Sequence, residues 1–182
     1  LGTFLGLAIG YFGGVVDDII SRILDAFLSI PLVITGMLAL AALGPNTVGV
    51  IVVIGLVFTP IIAKTVRAAV LSERQLDYVT AAQLRKENPV YILFVEILPN
   101  VMSVVIVEFT VRLGYAIFTV LALSFLGFGV EPSVPDWGQA IFKHHSFLTG
   151  NIWWPVLFPA LAIASLVVGV NLLADSISQA FE

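Results

Sequence analysis

Two pairs of side chains in this sequence are candidates for chemistry. His144 and His145 belong to a residue type that binds metals and moves protons. Neighbouring positions on a helix point about 100° apart, so the two rings are poorly placed to share one ion, and we interpret them as ordinary interfacial residues. The other pair, Glu108 and Arg112, is four residues apart, which stacks both side chains on one helix face.

The pair of Glu108 and Arg112 has two interpretations that the residues leave open. One is an internal salt bridge that makes a helix tolerable in lipid. The other is a polar patch that lines a pathway between helices. In both cases the face points away from lipid, because a charge at the bilayer centre costs roughly 3 kcal/mol or more.

Other catalytic patterns are missing from the sequence. It contains no Gly-rich phosphate loop, no H-E-x-x-H and no G-x-S-x-G, and it has no cysteine. We therefore predict that the chain is not an enzyme, and that it binds no cofactor and no metal of its own.

Composition indicates which elements must position these residues. Of the 182 residues, 59% are hydrophobic and 11% are charged, and the mean hydropathy is +1.08. Soluble domains carry charges at roughly a quarter of their positions. The net charge of −4 provides no basic surface for nucleic acid. We predict an all-α, polytopic integral membrane bundle, a single domain over 1–182, with about five spans of roughly 20 residues.

The hydrophobic runs place these spans. Leu1–Gly14 is too short to cross roughly 30 Å of hydrocarbon, so we expect the chain to begin inside a span whose upstream portion is missing. The amphipathic stretch from Asp17 leads into an apolar run, and we expect one long helix to Leu43 that bends at Pro31. Three further spans are predicted at Val48–Ala63, Ile97–Leu123 and Ile152–Leu173, followed by a short polar tail.

Basic and aromatic residues predict the orientation of the spans. The basic residues that fall in loops on one side are Arg22, Lys64, Arg67, Arg74, Arg85 and Lys86. Lys143 alone falls on the other side, so the positive-inside bias places residues 64–98 in the cytoplasm. Trp137, Trp153 and Trp154 fall at the opposite boundary, where indole rings favour the headgroup layer.

The cytoplasmic segment is predicted to fold. Ser72 and Gln75 have the spacing of a capping box, which predicts a short helix over about 73–84. Asn88 and Pro89 predict the N-cap and first residue of a second helix. We therefore expect a helix–turn–helix within residues 72–98.

The outer segment 127–151 is rich in Pro and Gly. We expect Asp136 to cap a short helix that runs through Phe147. The pattern predicts a lid or a re-entrant element.

A stripe of small residues opens the chain. Gly2, Gly6, Gly10 and Gly14 are each four residues apart, so they share one helix face. Such a stripe lets another helix backbone approach closely. We expect helix packing along this face.

Residues 78–100 resemble a known pattern. Tyr78-Val79-Thr80-Ala81-Ala82, closing with Ile97-Leu98-Pro99-Asn100, resembles the EAA loop of bacterial ABC-importer permeases, whose usual form is E-A-A-x3-G-x9-I-x-L-P. The resemblance extends over nearly the whole chain, to the C-type permease of the dipeptide/oligopeptide/nickel importers. The further segments that resemble it are Gly10-Tyr11-Phe12-Gly13-Gly14, Asp25 through Pro31, Leu43-Gly44-Pro45, Val66-Arg67, Leu123-Ser124-Phe125-Leu126-Gly127, Pro135-Asp136-Trp137-Gly138, Phe158-Pro159 and Asn171-Leu172-Leu173-Ala174-Asp175.

The resemblance implies a fold and an assembly. The fold is that of a type I ABC-importer permease without its first span, in a bacterial inner membrane, so that this chain holds five of the customary six spans. The implied partners are a second, homologous permease, two cytoplasmic ATPase subunits that carry ATP and Mg, and an extracytoplasmic solute-binding protein. The resemblance implies a peptide substrate, because peptides are the most frequent substrates in the family. Permeases with the same pattern also transport nickel complexes, glutathione-like molecules, opines and oligosaccharides.

The resemblance also implies which residues couple the permease to the ATPase. Ala81 and Ala82 are expected to sit in a groove on the ATPase, because small side chains let the helix approach closely. The full set of expected coupling residues is Tyr78, Thr80, Ala81, Ala82, Arg85, Lys86 and Pro99.

The sequence departs from the family pattern at three positions. Thr80 stands at the glutamate position, Lys86 at the glycine position and Glu96 at the later isoleucine. The family glycine permits a sharp turn, and we expect this chain to make that break at Asn88-Pro89 instead. The charged corner at residues 85–87 is expected either to pair with charges on its own ATPase or to mark a divergent, poorly coupled copy.

Two other functions compete with an ATP-driven permease. A passive channel or an ion-coupled secondary transporter would use Glu108 and Arg112 as its working charges, and its uptake would persist without ATPase subunits. A membrane scaffold would support no solute uptake.

Overall fold

The computed structural model describes residues 1–44, 46–131 and 133–181. The described residues form helices and the turns between them, without a strand, which confirms the all-α prediction. The helices are α1 Gly2–Phe12, α2 Gly14–Leu28, α3 Leu32–Leu43, α4 Thr47–Glu73, α5 Asp77–Leu84, α6 Pro89–Asn100, α7 Met102–Phe125, α8 Trp137–His144 and α9 Trp154–Phe181.

Three of these helices are long and apolar enough to cross a membrane, namely α4, α7 and α9. A fourth crossing results if α2 and α3 together count as one span. Helix α1 is a shorter apolar helix, and the count of three or four candidate spans is roughly consistent with the predicted five. Helix α9 continues to Phe181, so the residues of the predicted polar tail up to Phe181 are helical.

The prediction of one helix over residues 17–43 is wrong in detail. The first helix, α2, ends at Leu28, and α3 begins only at Leu32. Pro31 lies between them with φ −54° and ψ 129°, outside the helical region. Proline disfavours the helical conformation for the residue before it, and it donates no backbone hydrogen bond, so the helix is interrupted there and does not continue as one bent helix.

The described chain divides into two compact units. Unit 1 comprises Leu1–Ser29, Phe58–Phe109 and residues 178–181, and unit 2 comprises Ile30–Val57 and Thr110–Ile177. The core of unit 1 is apolar and draws residues from α1, α4, α5 and α6 together with the residue that precedes α7. The buried members of this core are Leu7, Val66, Val70, Val79, Ala82, Ile92, Leu93, Ile97 and Val101.

The glycine stripe lets α1 lie directly against α4 within unit 1. A methyl group added at Gly6 would lie 2.6 Å from the carbonyl oxygen of Ala63 and 2.8 Å from Cβ of Val66. Gly2 and Gly10 are similarly crowded, which confirms the predicted close approach for these three residues. Gly14 does not belong to this contact, because it begins α2 and has open space around it.

In unit 2, the outer segment packs back onto the end of α7. The carboxylate of Asp136 accepts a 2.7 Å hydrogen bond from the backbone N–H of Gln139, which confirms the predicted cap. Helix α8 ends at His144, and a 3₁₀-helix continues over His145–Gly150. A side chain at Gly138 would lie 2.7 Å from the carbonyl oxygen of Leu121, so this glycine sets how closely the segment can approach.

Candidate functional site

The segment between α4 and α7 is a folded unit whose entry differs from the prediction. Helix α4 continues to Glu73, and a turn made by the hydrogen bonds Gln75 N–H to Ser72 O and Leu76 N–H to Glu73 O follows it. Helix α5 then begins at Asp77 without a side-chain cap. The expected capping box of Ser72 and Gln75 is therefore wrong, because Ser72 lies inside the last turn of α4.

The two faces of α5 have different surroundings. Val79 and Ala82 are fully buried, three residues apart on one face. On the other face, Thr80 and Ala81 are exposed, and Leu84 keeps 79% of its surface. The prediction that Ala81 and Ala82 both contact a partner is therefore corrected for Ala82, whose methyl group packs inside unit 1.

The buried face of α5 is anchored to three other helices. Val79 and Ala82 belong to the same cluster as Leu7 of α1, Val70 of α4 and Ile97 of α6. Close-packed interiors have low compressibility and transmit strain. A displacement of α5 is therefore passed on to the helices packed against it, α1, α4 and α6.

Tyr78 closes the N-terminal end of α5 with polar contacts. Its hydroxyl donates a 2.8 Å hydrogen bond to Oε1 of Glu73 and accepts a 3.2 Å bond from the side-chain amide of Asn100. Burial, followed by the hydrogen bond to Glu73, raises the pKa of Tyr78 to about 12. The neutral hydroxyl therefore joins the end of α4, the start of α5 and the end of α6.

Lys86 makes the turn at the C-terminal end of α5. Its φ is +60°, in the left-handed region. The N–H of Lys86 bonds to the carbonyl of Gln83, and the N–H of Glu87 bonds to the carbonyl of Ala82. This pair of bonds is the Schellman pattern, in which glycine is the usual left-handed residue. The expected transfer of the break to Asn88-Pro89 is therefore wrong, because Lys86 adopts the conformation that the family glycine provides.

Asn88 and Pro89 begin helix α6. The side chain of Asn88 accepts a 2.9 Å hydrogen bond from the N–H of Val90, and Pro89 occupies the first turn of α6. This confirms the predicted second helix.

Arg85 is held by carboxylates of its own chain. Its Nε lies 2.6 Å from Oε1 of Glu87, and its guanidinium lies 3.5 Å from Oε1 of Glu96. Glu96 is the residue that stands in place of the family isoleucine, so this departure supplies an ion pair between α5 and α6. The Arg85 side chain remains 55% exposed.

Helix α6 widens before Pro99. The residues Ile92–Ile97 form a π-helical turn, and the N–H of Leu98 reaches the carbonyl of Leu93. Proline lacks an N–H and its ring clashes with the carbonyl four residues earlier, which the wider turn relieves. Pro99 itself is exposed, and α7 starts at Met102 rather than at the predicted Ile97.

Glu108 and Arg112 lie in α7. The Glu108 side chain is buried, with 9% exposure. Arg112 is half-buried, and its guanidinium carbon lies 5.4 Å from the centroid of the Tyr115 ring. Their pairing and their role in a pathway stay predictions.

Two basic residues of α4, and Arg74 directly after it, have partners that the sequence analysis did not predict. Arg67 binds the carboxylate of Asp17, with 2.6 Å between Nη2 and Oδ2, and Lys64 pairs with Asp25. Arg74 donates to the carbonyls of Gly10 and Tyr11 at the end of α1, at 3.1 and 2.9 Å. Asp17 and Asp25 lie eight residues apart on α2. This spacing is the feature of the sequence that could have predicted ion pairs with another helix.

The two histidines contact their own backbone. Nδ1 of His144 lies 2.7 Å from the carbonyl oxygen of Ala140, and Nδ1 of His145 lies 2.5 Å from that of Phe142. A carbonyl can only accept, so each Nδ1 carries the proton. Within the described part of the chain, no group of three or more His, Cys, Asp or Glu residues could hold a metal.

Several apolar helices long enough to span, joined by a folded, internally anchored segment, indicate a polytopic integral membrane protein. Residues 2–182 match the family described as binding-protein-dependent transport system inner membrane component, and the chain belongs to this family.

Curated relatives of the chain carry the names of peptide and glutathione permeases. It is 35% identical over 181 residues to the dipeptide transport system permease protein DppC of Alkalihalophilus pseudofirmus, covering 100% of this chain and 59% of the relative. It is 34% identical over 181 residues to the di/tripeptide transport system permease protein DppC of Pseudomonas aeruginosa, with the same coverage. It is 35% identical over 184 residues to the glutathione transport system permease protein GsiD of Pectobacterium atrosepticum, covering 100% of this chain and 60% of the relative. The chain therefore spans about three-fifths of the length of these relatives.

Proposed function

We propose that the chain is part of a transmembrane permease subunit of an ATP-driven, binding-protein-dependent importer. Family membership and the names of the relatives support this function. The proposed substrate is a dipeptide, an oligopeptide or a related small solute. The proposed partners are a second permease, two ATPase subunits that bind ATP and Mg, and an extracytoplasmic binding protein.

The two-sided surface of α5 is the observation that supports this proposal most directly. Leu76 and Leu84, at the two ends of the helix, keep 47% and 79% of their surface exposed, with Thr80 and Ala81 between them. Exposed apolar surface outside a membrane favours a protein contact. The opposite face of the same helix is locked into unit 1.

This arrangement would let a movement of the ATPase subunits be transmitted to the membrane spans. ATP-driven closure of the ATPase pair would move the exposed face of α5. Because Val79 and Ala82 are packed against α1, α4 and α6, that movement would be transmitted as a rigid-body shift of the attached spans. Tyr78, Arg85 and Lys86 fix the two ends of α5, so in this proposal they position the contact surface.

The test compares two neighbouring alanines in the complete complex. Ala81→Arg places a large charge on the exposed face and should leave folding intact, while abolishing stimulation of ATP hydrolysis by the loaded binding protein. Ala82→Arg places the same side chain in the core and should reduce the yield of folded complex. Normal stimulation in Ala81→Arg would contradict the proposed coupling surface.

A control separates this function from the competing one. Uptake by an ATP-driven permease should stop when the ATPase subunits are omitted and should survive an uncoupler. Uptake that persists without ATPase subunits but collapses with the ion gradient would favour a secondary transporter, in which the buried Glu108 would be the residue to replace.

A further inference from the structure

A polar stripe interrupts the apolar helix α9 in unit 2. Asn171 and Asp175 lie one turn apart on one face, near the end of the candidate span Trp154–Ile177. Asp175 is the only charged residue in the sequence of α9. Ionisable residues in spanning helices are costly, and they typically face a cavity and mark a functional site.

Gly114 of α7 sets the position of Asn171. A methyl group added at Gly114 would lie 2.6 Å from Oδ1 of Asn171 and 3.5 Å from its Cγ. Any larger residue at this position would displace the amide. The close approach therefore holds the exposed amide of Asn171 beside α7.

These residues line an open cavity of about 440 Å³, in which Asn171 and Asp175 are exposed and Tyr115 and Phe118 keep 57% and 60% of their surface exposed. Its polar lining consists of Tyr115, Asn171 and Asp175, and its apolar lining consists of Val111, Phe118 and Val167. Among the described residues, no ion pair involves the carboxylate of Asp175. The cavity thus combines one negative charge with neutral oxygen acceptors and apolar walls.

The chemistry of this lining selects the ligand. A carboxylate, an amide oxygen and a phenol oxygen can together accept the three N–H donors of a primary ammonium group. A divalent metal ion would need more oxygen ligands than these side chains supply. The guanidinium carbon of Arg112 lies 5.4 Å from the centroid of the Tyr115 ring.

We propose that this cavity binds the free α-ammonium group of a peptide as it passes through the permease, an inference that rests on the function proposed above. Asp175 accepts the ammonium charge, Asn171 accepts a second hydrogen bond, and the apolar walls contact the peptide side chain. The site makes the permease itself selective for peptides with a free amino end.

Equilibrium dialysis of the purified complex, without the binding protein, tests the site directly. The probes are a radiolabelled free dipeptide and its N-acetyl form. The wild-type complex should prefer the free dipeptide, and Asp175→Asn should weaken its binding about tenfold while leaving the N-acetyl form unchanged. Asp175→Glu should retain most of the preference. Asp18→Asn, which removes an exposed carboxylate from α2 in unit 1, is the matched control and should have no effect.

Three results would overturn the inference. They are equal binding of the two peptides by the wild type, an unchanged preference in Asp175→Asn, and failure of Asp175→Asn to co-purify with its partners, since this would make Asp175 an assembly contact. Asn171→Ala, expected to weaken free-dipeptide binding about threefold, tests the same site without removing a charge. Failure of the proposed function would instead appear as absence of ATP-dependent uptake by the wild-type complex.

Discussion

Arg67 of α4 donates to both carboxylate oxygens of Asp17 of α2, fifty residues earlier in the chain. The Asp17 side chain is 8% exposed and that of Arg67 is 28% exposed. Bidentate pairs of this kind are stronger than single hydrogen bonds and fix the relative orientation of the two groups. The face of α2 that carries Asp17 and Leu24 therefore points into unit 1, while Val16, Ile19 and Ile23 remain exposed.

Removing one partner of this pair should destabilise unit 1. Asp17→Asn leaves the Arg67 guanidinium partly buried without a counter-charge, and we expect the free energy of unfolding to fall by about 3 kcal/mol. This value is at the low end for broken buried ion pairs, because Arg67 keeps some contact with solvent. The measurement is thermal or denaturant unfolding of the purified protein in detergent.

A double-mutant cycle provides the control for this pair. If the contact is direct, Asp17→Asn combined with Arg67→Gln should cost less than the sum of the two single changes. Strictly additive losses would show that the two residues act independently.

The contact between α1 and α4 should not tolerate a side chain at Gly6. Gly6→Ala places a methyl group against backbone atoms that cannot rotate away, so we expect a loss of about 1–3 kcal/mol. Gly55→Ala is the matched control, because this helical glycine of α4 has open space around it and should gain up to about 1 kcal/mol from helix propensity. Equal effects of the two changes in a thermal unfolding experiment would show that the close approach of α1 to α4 is not the cause of the destabilisation.

The helical spans were predictable because hydropathy and length leave few alternatives for runs such as Val48–Ala63. The contact of Gly2, Gly6 and Gly10 was also predictable, since spacing alone puts small residues on one face. The Asn88 and Asp136 caps follow from local hydrogen bonding, which requires no knowledge of the tertiary fold.

The missed features depend on tertiary structure. Nothing local shows which face of α5 is buried, because Ala81 and Ala82 are the same residue and only contacts with α1, α4 and α6 distinguish them. The left-handed turn at Lys86 was missed because lysine rarely adopts that conformation, and the surrounding ion pairs and hydrogen bonds stabilise it. The partner of Asp17 was missed because it lies fifty residues away.

Replacing Lys86 by glycine should stabilise the protein. A left-handed conformation costs a residue with a side chain roughly 1–2 kcal/mol, and the greater chain entropy of glycine cancels part of that gain. We expect a net increase of about 0.5–1 kcal/mol in the free energy of unfolding. Arg85→Gly, at a position with φ −70°, should destabilise instead. A loss of stability in Lys86→Gly would mean that the lysine side chain contributes more than its backbone costs.

The hydroxyl of Tyr78 should make stability depend on alkaline pH. Its pKa is about 12 in the folded protein and about 10 in an unfolded chain, so the neutral form is favoured by folding. A raised pKa of this kind contributes stability that is fully present below pH 10 and is lost as the pH rises towards 12, because only the unfolded state releases the proton in that interval. The difference in absorbance at 295 nm between the wild type and Tyr78→Phe should therefore titrate near pH 12. A midpoint near pH 10 would show that the phenol is neither buried nor bonded to Glu73, and that α5 is not joined to the end of α4 in this way.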